Sequence, residues 1–128
     1  MPESSKPIEK LDITNARKIS APETPSFTRP GFDGRMIVES AAKAGFNALL
    51  VDVHGEHPPK RMLGTTTRVY HVLQGSGTFT LNGETHEVKT GDTFIIPPEN
   101  EYGYQGTMKL FEFNVDPANE FTDKKLAE

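Results

Sequence analysis

Apolar residues along this chain recur at every second position, in short runs, and not at the spacing of an amphipathic helix. The segments "GRMIVESA", "FNALLVDVH", "TTTRVYHVL", "GTFTL", "ETHEV", "TFIIPP" and "MKLFEFNV" are rich in β-branched and aromatic residues and are bounded by turn-forming ones. Asn82-Gly83 between "GTFTL" and "ETHEV" is a strong hairpin signal, because both residues tolerate the positive φ of a tight turn. Lys43–Gly45 and "KTGD" read as further turns. "QGSG" punctuates the strand before it, and "GEHPPK" reads as a loop, since His57-Pro58-Pro59 cannot continue a ladder. With no convincing helix between these segments, the pattern predicts an all-β, single-domain sandwich or barrel.

The ends of the chain differ from the middle. Residues 1–30 are rich in Pro, Ser, Thr and Lys, and Pro22, Pro25 and Pro30 rule out a helix across their second half. They are expected to form an extended N-terminal arm, with room for one edge strand at "IEKLDI", either disordered or laid across a partner subunit. The barrel is expected over 31–117 and a tail, a short helix or a frayed end, over 118–128. At 128 residues the chain is long enough for one core without staples.

Charge narrows the partners. Fourteen Lys and Arg against eighteen Asp and Glu give a net charge of −4, the wrong sign for a nucleic-acid binder. Cysteine is absent, which removes disulfides and thiolate metal sites. "MPESSKPIEK" has no apolar stretch of a secretory signal, and no run approaches a membrane span. A cytoplasmic protein without membrane or nucleic-acid partners is the expectation.

Two spaced motifs carry a resemblance. Gly55, "EHPPK", Arg61-Met62-Leu63, "GTTT", Arg68, "VYHVLQ" and Gly75 form the first; Gly91, "DTFII", Pro97-Pro98-Glu99, "NE", Tyr102, "GYQ" and Gly106 form the second. In spacing they resemble the two signatures of the cupin superfamily, over roughly residues 35–116. The resemblance implies a cupin-type β-barrel of the jelly-roll kind, commonly a homodimer. In that family two His, a Glu and a further His hold one metal ion inside the barrel. Here those four positions carry Arg61, Leu63, Arg68 and Tyr102. Arginine has no lone pair to give, and two guanidinium groups repel a cation. No metal and no other cofactor is therefore expected, and metal-dependent activities of the family are not.

The resemblance places Arg61, Arg68 and Tyr102 at the barrel mouth, with Tyr70 on the Arg68 side by strand alternation and Tyr104 beside Tyr102; Arg61, which abuts "HPPK", is equally open to being solvated. Two such charges about 7 Å apart repel by roughly 2–3 kcal/mol at an effective dielectric near 20. A small anionic molecule, carboxylate, sugar acid or phosphate, would offset that repulsion. Two other readings stay open. In the first, the chain is a metal-independent isomerase or epimerase of sugar-like substrates, with Tyr102 as acid and His57 or Glu112 as base. In the second, Arg68 pairs with Glu112, Glu101 or Glu99 and the barrel is purely structural. Glu112 is the nearest suspect, because Leu110, Glu112 and Asn114 share one parity and Phe111, Phe113 and Val115 the other. His54 and His57, with Glu56 between them, form a weaker candidate for a displaced metal site. His71 has outward parity, His86 follows the hairpin and reads as exposed, and Glu99-Asn100-Glu101 reads as a solvated face.

Overall fold

The computed structural model describes residues 16, 18–20, 24–38, 45–121 and 123–125. Eight strands run in chain order: β1 (Ser26–Arg29), β2 (Phe32–Val38), β3 (Phe46–Met62), β4 (Thr67–Leu81), β5 (Glu84–Val88), β6 (Thr93–Ile96), β7 (Glu101–Val115) and β8 (Asp123–Lys125). All pairings are antiparallel, and no helix occurs among the described residues. The edge strand considered at "IEKLDI" lies outside the described residues.

Three long strands form the frame. β7 lies between β3 and β4, and the three stay in register from Phe46↔Val115↔Thr67 at one end to Tyr102↔Leu81 at the other. All eight strands belong to one sheet, and β3 and β4 change outer partners along their length. The first half of β3 pairs with β2, and β4 there pairs with β6 through Arg68–His71. Further along, β3 pairs with β8 and β4 with β5. The strands bend where Gly55, Gly106 and Gly77 sit side by side across them. At Gly106 φ is 141°, and a Cβ would lie 2.6 Å from the Gly77 Cα, so a side chain is excluded there.

The two halves face one another across the core. Phe94 in the first half stacks on Phe79 in the second at 4.3 Å, and Tyr70 touches Phe79, Tyr102 and Tyr104. Leu49, Val51, Val53, Val72, Ile96, Met108 and Leu110 complete the buried apolar cluster. Period-two alternation thus sends one side of each strand into a jelly-roll core, as the sequence predicts.

Three local expectations are corrected. "GEHPPK" is not a loop: β3 runs through it, and the register shifts between His57 and Lys60, so Pro58 and Pro59 together oppose Gly103. A bulge accepts prolines because the extra residue leaves the ladder. "QGSG" does not end a strand but continues β4 past a second register shift, between Val72 and Gln74. The tail forms strand β8 on β3, not a helix. The hairpin at Asn82-Gly83 is present, with φ of 50° and 84°.

Asp116 fastens the end of β7. It accepts hydrogen bonds from the Thr65 and Thr66 hydroxyls and from the amides of Ala118, Glu120 and Phe121. Burial raises its carboxyl, but the two hydroxyls and the backbone amides outweigh burial and hold it well below the ordinary range. The native state thus binds this proton less readily than the unfolded one. The stability it contributes is complete above the unfolded value near 4 and is lost as pH falls toward the lower native one. Asp116→Ala is expected to cost about 2–3 kcal/mol at neutral pH and to flatten the acid limb of a denaturation curve. An unchanged acid limb would show that the clamp is not what titrates.

Candidate functional site

The site grows from two buried rows facing each other inside the bend. In the first half, Asn47, Asn114 and Arg68 are neighbours across β3, β7 and β4, and Leu49, Glu112 and Tyr70 form the next row. In the second half, His57, Tyr104 and Phe79 form one row, with Tyr102 on the next. Parity alone therefore delivers an arginine, a glutamate, two asparagines, a histidine and three tyrosines to one interior.

The first row is a hydrogen-bonded chain. Arg68 Nε donates to Asn114 Oδ1 at 2.6 Å and lies 3.2 Å from Glu112 Oε2. Asn114 Nδ2 donates to Glu112 Oε2 at 2.9 Å and to Asn47 Oδ1 at 2.7 Å. Arg68 Nη1 donates to the Tyr102 hydroxyl, and its guanidinium carbon lies 5.6 Å from that ring's centre. The Arg68 and Glu112 side chains are only 11% and 9% exposed, so the pair interacts with little water screening.

The second row is aromatic. His57 stacks on Tyr104 at 4.5 Å and on Tyr102 at 5.3 Å, with Phe32 at 5.2 Å on another side. Burial, and then the Glu112 carboxylate, push the Tyr70 and Tyr104 phenols well above their ordinary value, and the Arg68 guanidinium only partly opposes this. Both remain neutral donors. The chain has three tyrosines and no tryptophan, and all three tyrosines are here.

Of the residues expected at the site, the structure brings Arg68, Tyr70, Tyr102, Tyr104 and Glu112 together. Arg61 is not with them. The Pro58-Pro59 bulge reverses the parity that follows it, so Arg61 pairs with Glu101 on the side opposite Tyr102. Its side chain is 38% exposed, donates to the Glu99 carbonyl at 2.7 Å and meets Glu101 at 3.1 Å. Of the two placements open to Arg61, the structure has the partly exposed one, so Arg61 does not join the barrel site. His57 is the residue that sequence reasoning misplaced in a loop. Asn47, Leu49, Val51, Val53, Gly55 and His57 share one parity, and following that alternation through Gly55 would have found it. His71 bonds Thr93 at 2.9 Å on the outer face. His86 is half-buried against Phe94, not fully exposed. His54 faces Asp33 at 3.4 Å, apart from His57, which removes the displaced metal site as drawn.

Among the described residues no three His, Cys, Asp or Glu side chains are grouped to hold a metal ion. The positions that hold metal in the resembled family do not fit one here. A fixed guanidinium stands among them and already engages Glu112, the nearest carboxylate.

The comparisons with known proteins agree with this architecture. The Cupin domain family model matches residues 50–110. A 38-residue stretch is 45% identical to the uncharacterized protein MJ1618 of Methanocaldococcus jannaschii, and covers 30% of that relative's length. Among solved structures, the nucleoside dehydratase Pac13 superposes with a TM-score of 0.74 at 21% identity, over 88% of this chain and 92% of that one. The Streptomyces protein has also been solved with uridine, in forms with one histidine replaced by glutamine or one of two tyrosines by phenylalanine. KdgF from a Halomonas species matches with a TM-score of 0.67 at 17% identity, over 80% of this chain and 94% of that one.

Proposed function

We propose that this chain, a member of the cupin superfamily, binds a small ring-bearing, hydroxylated metabolite at the aromatic cluster and catalyses a metal-independent proton-transfer reaction on it, the elimination of water being the best-supported class. The observation that carries the reading is the burial of His57 with its ring stacked on those of Tyr104 and Tyr102. Such a pair supplies a base and an acid. The imidazole takes a proton from carbon, and the C–H electron pair becomes a double bond as the C–O bond breaks. The departing oxygen leaves as water with a phenol's proton. No oxidant is needed.

One further observation favours this class. The histidine and two tyrosines substituted in Pac13 are separated by 13 and 34 residues. His57, Tyr70 and Tyr104 are separated by the same 13 and 34. An anionic ligand, the expectation from two arginines, is less favoured. Arg68 is answered by Glu112 and Arg61 by Glu101, so the site offers stacking and neutral donors more than net charge.

Tyrosine emission reports this site alone, which makes binding directly readable. Uridine, uridine monophosphate, sugar acids and sugar phosphates are to be titrated against emission and thermal unfolding. A neutral nucleoside or sugar is expected to change emission and, at 100 times its Kd, to add about 2.7 kcal/mol. His57→Gln should weaken it at least about tenfold, or roughly 1.4 kcal/mol. If only the phosphates and acids bind, the anionic reading replaces this one; if nothing in the panel binds, the small-molecule reading falls.

A further inference from the structure

We infer that Tyr102 is the acid of this site and that Arg68 is the residue that positions and activates it. The inference rests on the proposed proton-transfer reading and selects one tyrosine among three. Neither Pac13 substitution spacing points to Tyr102; its motif position suggested it, and the geometry adds Arg68 as its partner.

The three phenols sit in different company. Tyr70 is the direct cross-strand neighbour of Glu112, whose negative charge discourages loss of a proton. For Tyr104, a hydrogen bond with Tyr70 and the more distant Arg68 favour ionisation, but burial and the same carboxylate outweigh them. Tyr102 instead accepts an N–H from the Arg68 guanidinium, which also leans on its ring. A hydroxyl that accepts a charge-assisted hydrogen bond becomes a stronger donor, and the phenolate it would leave is stabilised by the adjacent cation.

The groups around Tyr102 are Arg68 and Tyr70 from β4, His57 from β3 and Tyr104 from β7, with Glu112 behind Arg68. Lys60 is the cross-strand neighbour of Tyr102. Arg68 is held in place by Asn114 and Glu112, and Asn114 in turn by Asn47. The Asn47–Asn114–Glu112 chain thus fixes the guanidinium, and the guanidinium fixes the phenol. His57 stacks on the same Tyr102 ring, so base and acid share one wall. After elimination the imidazolium returns its proton to the phenolate, and both groups are restored.

Phenolate absorbance in the near ultraviolet tests this without a known substrate, since the only chromophores of this kind are the three site tyrosines. On raising pH, the first phenolate step of the folded protein is expected to be lost in Tyr102→Phe and kept in Tyr70→Phe and Tyr104→Phe. It should move to higher pH in Arg68→Met/Glu112→Gln, which removes both charges together, and stay near its wild-type place in Arg68→Lys. Should the double variant fail to fold, the three phenylalanine variants still decide the matter. Survival of the first step in Tyr102→Phe, or an unmoved step in a folded Arg68→Met/Glu112→Gln protein, overturns the inference. A failure of every nucleoside or sugar to bind leaves these spectra as they are, so the functional reading and this one fail separately.

Discussion

Glu112→Ala is expected to lower the melting temperature by about 12–20 °C. Glu112 is the carboxylate facing the buried Arg68 guanidinium at 3.2 Å, and it also accepts the Asn114 amide at 2.9 Å. Removing it leaves a desolvated cation and a shortened hydrogen-bond chain, a change that costs about 3–5 kcal/mol. At this chain length each kcal/mol is worth about 4 °C. The double variant Arg68→Met/Glu112→Leu removes both charges and fills the space with apolar groups. Its stability should lie within about 2 kcal/mol of the parent, because a buried pair largely offsets its own desolvation. Thermal unfolding of the two variants side by side checks this. A Glu112→Ala protein as stable as wild type would mean that water or another group reaches Arg68 and that the pair is not dry.

The second large effect is expected at Gly106. A Cβ there would lie 2.5 Å from the Ser76 carbonyl oxygen and 2.6 Å from the Gly77 Cα, on a backbone with φ of 141°. No side chain can yield, because both neighbours are main chain. Gly106→Ala should therefore cost about 4 kcal/mol or more, at the upper end of single substitutions, and much of the protein should be recovered insoluble. Gly91 is the control. Its φ is 98°, but nothing lies within 4 Å of its would-be Cβ, so alanine there carries only backbone strain of about 1–2 kcal/mol. Equal losses at the two positions would remove close packing as the cause.

The parts of the fold that were legible in the chain are those with an unbroken period of two. Leu110, Glu112 and Asn114 were assigned to one face by alternation, and that face is the buried one. Asn82-Gly83 turned where its φ preferences said it would. Two of the errors, at Pro58-Pro59 and at "QGSG", fall where one residue too many enters a strand. Pro58-Pro59 looked like an end because proline cannot donate to a ladder, yet a bulge needs no donor there. The same bulge then turned Arg61 outward, although a uniform alternation from His57 would have sent it in. No local preference marks such an insertion, since it is decided by the partner strand. The register opposite Gly103 exists only once β7 has arrived. The Arg68–Glu112 pair was suspected from charge and strand parity, whereas the ring stack around His57 depends on how the two halves close.

The central pairing of β3 with β7 also sets a schedule for folding. Phe46 and Val115 are partners, yet 69 residues separate them in the chain. At roughly 5–20 residues per second of synthesis, β3 waits about 3–14 s before its partner exists. Its apolar first half is exposed in that interval, shielded on one edge only by β2. Contacts this distant in sequence form slowly, so the step that completes the molecule is also the one that assembles its site: Arg68 meets Glu112, and His57 meets Tyr102 and Tyr104, only when β7 docks. Folding yield and site assembly are thus a single late event, and substitutions that delay β7 are expected to favour aggregation of newly made chains over the accumulation of folded protein with an incomplete site.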